Sequence, residues 1–133
     1  MANSKAYRKY QLTINNPETH GFSHEVLRSI LASFPGIQYW CMCDEIGEHQ
    51  TPHTHVYFFS PNAILFSTVQ QRFYGAHIEP ANGSHQANRD YIRKEGKYLD
   101  DPKHETNLAH TFEESGELPP ERTKRDQVSA EVL

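Results

Sequence analysis

The order of elements along this chain predicts an α+β fold: a central antiparallel sheet flanked by helices. Two observations carry that expectation. Short runs with two-residue alternation are interleaved with capped segments of helical spacing. Two of the strand-like runs also follow one another across a tight turn, so neighbouring strands run antiparallel. At 133 residues, with 36% hydrophobic content and 15 aromatic side chains, the chain is long enough to bury a sizeable core.

Tyr7 to Asn15 reads as the first strand, because Tyr10, Leu12 and Ile14 alternate with Lys9, Gln11, Thr13 and Asn15. Asn15-Asn16-Pro17 ends it, since the residue before proline is pushed out of helical space. Ser23 caps a helix reaching about Phe34, with Val26, Leu27, Ile30 and Leu31 on one stripe, and Pro35-Gly36 stops it. Ile37 to Asp44 is nearly all apolar, as a strand covered on both faces should be. Gly47-Glu48-His49-Gln50 is a turn, and His53 to Phe59 is the third strand, broken by Ser60-Pro61-Asn62.

Leu65, Val69 and Phe73 at spacings of four mark a short helix, and His77-Ile78-Glu79 a short edge strand before Pro80. Ser84 caps a helix running to Glu95, with Gly96 as its C-terminal cap. Leu99 to Phe112 is weakly patterned. From Glu113 onward the chain reads as a solvated linker, which sets a domain over residues 1–112 and a tail over 113–133.

Charge and composition exclude some functions. Residues 113–133 hold six acids and three bases and supply most of the net charge of −4, leaving the rest nearly neutral. A broad basic field for gripping long duplex DNA is therefore absent. No apolar run reaches the roughly 18 residues a membrane helix needs, and no membrane partner is expected. Cys41 and Cys43, two apart in a strand, point the same way and are poorly placed to bridge each other, so free thiols are expected.

The chemistry concentrates at Pro52-His53-Thr54-His55. Strand periodicity puts both imidazoles on one face, and the preceding hairpin brings Glu45 beside them. A lone strand histidine is more often structural than a ligand. Two histidines plus a carboxylate, with positions left open, suit a catalytic divalent ion such as Mn²⁺ or Mg²⁺. Cys43 is close enough to Glu45 to keep a zinc site with His53 and His55 open, whereas Cys41 is too far.

On the Ser84–Glu95 helix, Ala87, Tyr91 and Lys94 share a stripe. Such a tyrosine is commonly a core aromatic and such a lysine a surface residue. The functional alternative is specific: a metal ion that polarises a phosphodiester, with an ammonium close by, lowers the cost of attack by a phenol whose pKa is near ~10.

Three segments in order resemble the HUH endonuclease domain of replication-initiator (Rep) proteins of circular single-stranded DNA viruses, of the circovirus-like and geminivirus-like groups. They are Gln11-Leu12-Thr13-Ile14-Asn15-Asn16-Pro17, Pro52-His53-Thr54-His55 and Tyr91-Ile92-Arg93-Lys94-Glu95-Gly96. One departure is Gln11, where many relatives carry an aromatic. The resemblance implies a ferredoxin/RRM-like sheet of about five strands. It implies metal ligands Glu45, His53 and His55, with Tyr91 as nucleophile and Lys94 beside it. It further implies nicking and joining of single-stranded DNA at a replication-origin stem-loop, through a 5′-phosphotyrosine that starts rolling-circle replication in the host nucleus.

Candidates for DNA contact are Tyr10, Gln11, Thr13 and Asn15 on the first strand, with Arg72, Tyr74 and Asn82 near the sheet edge. Aromatic stacking on unpaired bases, worth about 1–3 kcal/mol each, would replace the missing basic field. Relatives carry a helicase after this domain. No Gly-x-x-x-x-Gly-Lys-Ser/Thr loop occurs here, so a second domain is expected to begin beyond Pro119-Pro120, and any oligomer to depend on it. Arg122-Thr123-Lys124-Arg125 reads as a solvated run or a nuclear signal. The competing reading is an RRM-like module that binds single-stranded nucleic acid without cleaving it.

Overall fold

The computed structural model describes residues 5–100 and 106–120, and the basic run Arg122–Arg125 lies outside them. Among the described residues five strands and three α-helices follow one another. They are β1 (Ala6–Asn15), α1 (His24–Ala32), β2 (Tyr39–Ile46), β3 (Pro52–Leu65), α2 (Phe66–Arg72), β4 (His77–Pro80), α3 (His85–Arg93) and β5 (Asn107–Gly116). The strands form one antiparallel sheet in the order β4-β1-β3-β2-β5. The expected α+β class and antiparallel sheet are what the chain adopts. Among the described residues no helix is long and apolar enough to cross a membrane.

Strand alternation sorts the sheet into two faces. Tyr10, Leu12, Ile14, Met42, Val56 and Phe58 pack with Leu27 and Leu31 of α1 and with Val69 of α2 and Phe73, which follows it. Each such large apolar side chain contributes about 1.5–3 kcal/mol by leaving water. Aromatic stacking joins the layers, with Phe58 5.2 Å from Tyr10 and 6.3 Å from Phe73 between ring centroids. On the opposite face Tyr39, Cys41, Cys43 and Tyr57 pack beneath Ile92 of α3. Toward the far end of β2 and β3, Glu45, His53 and His55 continue this second row.

The structure departs from the sequence reading in three places. Ser60-Pro61-Asn62 does not end the third strand. It forms a bulge opposite the Tyr7–Lys9 stretch, pairing resumes at Ile64, and Ser60 Oγ donates to Asn62 O at 2.7 Å. A bulge is where proline, lacking an N–H, can sit in a sheet.

The second departure is β5. The stretch read as weakly patterned, and as linker from Glu113, is an edge strand against β2 that runs to Gly116. Its acids are clamped rather than solvated. Glu113 is held by His24 and Arg28 of α1, and Glu114 by Arg89 of α3 and the Tyr39 hydroxyl. Charge on an edge strand also discourages pairing with other chains.

Third, α3 stops at Arg93, earlier than Glu95. The residue that takes the left-handed cap is Lys94 (φ 56°, ψ 49°), with Gly96 left-handed two positions later. That conformation carries roughly 1–2 kcal/mol of strain for a residue with a Cβ. It turns the lysine side chain inward.

Candidate metal centre and tyrosine groove

Register across β2 and β3 builds the centre. Glu45 pairs with His53 and Cys43 with His55, so the carboxylate and both imidazoles emerge on the α3 face. Glu45 is fully buried, and His53 and His55 are each only 9% exposed. Glu45 Oε1 lies 3.6 Å from His53 Nε2, and Oε2 lies 3.4 Å from His55 Nε2. The two imidazole rings stand 4.7 Å apart and nearly perpendicular. Gly47, in the turn, makes room for them, since a Cβ there would meet His53 Cε1 at 2.9 Å.

The three donors fit a divalent ion on an observation independent of the motif. Both Glu45 oxygens are buried without a hydrogen-bond partner among the described residues. A buried carboxylate without a hydrogen bond is costly even with the Lys94 ammonium 3.7 Å away, and 3.4–3.6 Å to the imidazoles is too long for a hydrogen bond. Donors sharing one ion at about 2.1 Å sit roughly 3.0–3.4 Å apart, close to this spacing. The ligand atoms of Glu45, His53 and His55 all lie within 4.8 Å of one another, and the three could hold a metal ion.

Electrostatics agree with that use. Burial alone would raise the Glu45 pKa, but His53, His55 and the Lys94 ammonium outweigh it and hold the carboxyl well below the usual range. Burial pushes the His55 pKa down against the pull of Glu45, favouring the neutral imidazole that metals bind. Thr13 Oγ1 lies 3.3 Å from His55 Nδ1 and orients the ring from behind. Cys43 does not join the group. Burial raises the pKa of its thiol, and Sγ is directed to Leu108 O and Thr111 Oγ1 of β5 at 3.4 and 3.6 Å.

Helix α3 sets Tyr91 beside the centre. Its ring centroid is 5.9 Å from that of His55, and the side chain lines an open groove of about 370 Å³ between β1, β4 and α3. Lys94 is fully buried beneath it. Its Nζ sits 3.6 Å from the Tyr91 ring centroid, 3.7 Å from Glu45 Oε2, and donates to the Tyr91 carbonyl at 2.8 Å. So enclosed, the ammonium faces Glu45 and Tyr91 and not solvent.

Of the expected DNA contacts, Gln11 and Asn82 line the same groove as Tyr91. Thr13 and Asn15 share that face of β1, opposite His55 and His53. The structure places Tyr10 and Arg72 away from this groove. Tyr10 is wholly buried in the other layer, where its hydroxyl donates to Ile64 O, because the even positions of β1 face α1 and α2. Arg72 lies across the sheet on α2, bonded to Ser33 Oγ at 2.6 Å and stacked over Phe34. Tyr74 is 83% exposed in the turn between α2 and β4.

Asn88, Lys97 and Tyr98, which line the groove too, were missed. The available signals were Asn88 three residues before Tyr91 on the helix and Tyr98 one heptad after it.

An antiparallel α+β sheet with a buried carboxylate–imidazole cluster next to a helix tyrosine defines a protein with a candidate metal centre. The family described as "Putative viral replication protein" matches residues 7–95, two thirds of the chain. The chain belongs to that family, and β1, the cluster and α3 with Tyr91 all lie inside the match. A search of curated proteins returned no match.

Proposed function

We propose that the protein is a single-stranded DNA endonuclease and strand-transferase that opens rolling-circle replication at an origin stem-loop in the host nucleus, with Tyr91 as nucleophile. The observation that carries this reading is the pair of buried Glu45 oxygens, without a hydrogen bond among the described residues, between two imidazoles, one of them beside the Tyr91 ring. A surface that only binds nucleic acid has no use for such a carboxylate.

Glu45, His53 and His55 would hold Mn²⁺ or Mg²⁺, which when bound supplies charge stabilisation to the phosphate. Tyr91 Oη attacks phosphorus, the bond from phosphorus to the 3′ oxygen breaks, and the leaving strand departs as a 3′-hydroxyl. The phenol proton is released, and the 5′-phosphate stays on the tyrosine. Joining is the reverse, with a 3′-hydroxyl displacing Tyr91. Lys94, against the ring face, offsets negative charge as the phenol ionises. Thr13 holds the His55 ring in its orientation.

The test is mass spectrometry of the protein after incubation with a stem-loop oligonucleotide library and Mn²⁺. A DNA adduct on Tyr91 is expected, and Tyr91→Phe should form none while still binding the same strands. An adduct that survives Tyr91→Phe refutes the nucleophile. Binding with no adduct on the native protein favours the non-cleaving module.

A further inference from the structure

The groove beside Tyr91 has a polar floor that the cleavage chemistry does not use. Asn88 on α3 is 4% exposed, and its Nδ2 donates to the carbonyls of Asn82 at 2.9 Å and Ser84 at 2.8 Å. Both amide hydrogens are committed, so turning the amide over would set Oδ1 against two carbonyl oxygens. Oδ1 must therefore face Gln11, whose Nε2 donates to it at 2.7 Å. The Gln11 amide is fixed in its turn. Its carbonyl oxygen and second amide hydrogen are left as an oriented acceptor and donor at the groove.

The surroundings suit one kind of occupant. A volume of about 370 Å³ has room for about one nucleotide. Tyr98 packs edge-on against Tyr91, with centroids 5.3 Å apart, and brings a second aromatic ring to the lining. Lys97, exposed with Nζ 5.2 Å from the Tyr98 ring, puts a cation on that wall. Glu79 on the β4 wall, in register with Gln11, repels phosphate from the other side. A negatively charged backbone would therefore run along the Lys97 wall, with its base turned toward Gln11.

We propose that this groove holds one unpaired nucleotide next to the bond facing Tyr91, and that Gln11 selects its base. The acceptor and donor that Asn88 orients favour adenine, whose N6 amino group donates to the Gln11 oxygen while N7 accepts from the Gln11 amide. The proposal rests on the reading of this face as a single-stranded DNA site. It concerns a position where this chain departs from the aromatic of the Rep relatives it resembles.

The experiment is selection of bound strands from a random single-stranded DNA pool, followed by sequencing, and it needs no cleavage. The native protein should prefer adenine at one position by roughly ten-fold, the size of a single base contact. Gln11→Met keeps the length of the side chain and should lose that preference without a change in melting temperature. Gln11→Arg can still donate to Asn88 but presents only N–H groups, so it should turn the preference toward guanine, whose O6 and N7 both accept. No adenine preference in the native protein, or the same preference in Gln11→Met, overturns the proposal. Should Gln11→Arg fail to fold, Gln11→Met decides alone. Adduct formation is scored separately. An adduct without adenine preference removes base selection only, whereas the preference without an adduct removes the nucleophile and leaves the groove.

Discussion

Glu45 and Lys94 face each other 3.7 Å apart, and both side chains are wholly withdrawn from water. One comes from the end of β2 and the other from the left-handed cap of α3, so this contact ties the carboxylate of the candidate centre to the helix carrying Tyr91. At that distance the ammonium gives Glu45 charge but no hydrogen bond, and a second cation between the imidazoles would complement it.

Removing the lysine charge should therefore be costly and partly reversible. Lys94→Met leaves Glu45 buried with one cation fewer and should lose about 3 kcal/mol in chelator. Added Mn²⁺ should restore part of the loss. Lys94→Gly removes the same charge and relieves the left-handed strain, but it also empties the space the buried side chain fills, and should melt below Lys94→Met. Thermal melts of the three proteins, with and without metal, check both claims.

Metal binding should itself stabilise the fold. At a free ion concentration of about 100 times Kd, linkage predicts a gain of about 2.7 kcal/mol. His55→Ala should abolish that gain and weaken Mn²⁺ binding by orders of magnitude in calorimetric titration. An unchanged titration would place the ion elsewhere.

Stability should fall on the alkaline side through His24. Its pKa is raised chiefly by the hydrogen bond to Asp44 at 2.7 Å and also by Glu113. The contribution is thus complete below about 6.5, the ordinary histidine value, and disappears as pH climbs through the raised value. Denaturant melts between pH 6 and 9 should show this decline in the native protein, and His24→Gln should flatten it.

Acid works in the opposite sense at the centre. The Glu45 pKa is depressed, so its contribution stands above the ordinary carboxylate value and is lost as pH falls through the lowered one. Metal affinity should fall as well, because protons compete with the ion for the His55 imidazole. Titrations of Mn²⁺ at pH 7.5 and 5.5 should differ markedly, with the weaker binding at the lower pH.

Tyr10 offers a control for the DNA face. Tyr10→Phe removes the hydroxyl bonded to Ile64 O and should cost about 1 kcal/mol in stability. Its affinity for single-stranded DNA should match the native protein in anisotropy titrations, because the ring belongs to the layer under α1 and α2.

Much of the frame was legible because it is local. Alternation in β1, the spacing of Val26, Leu27, Ile30 and Leu31, the serine caps of α1 and α3, and the His53-Thr54-His55 pattern each depend on a few neighbouring residues. Edge strand β5 was not legible, because its Glu113 and Glu114 look solvated until α1 and α3 supply His24, Arg28 and Arg89 from elsewhere in the chain.

Sequence by itself determined that β1 has two faces, that two imidazoles share one side of β3, and that a tyrosine and a lysine follow on a capped helix. Only the tertiary structure decided which β1 face meets the imidazoles. Register pairs Thr13 with His55 and Gln11 with Tyr57, so Gln11 reaches the groove and Tyr10 enters the core. Side chains alternate with a period of two, and a slip of one residue would exchange those places, so the assignment belongs to the pairing between strands and not to either strand alone.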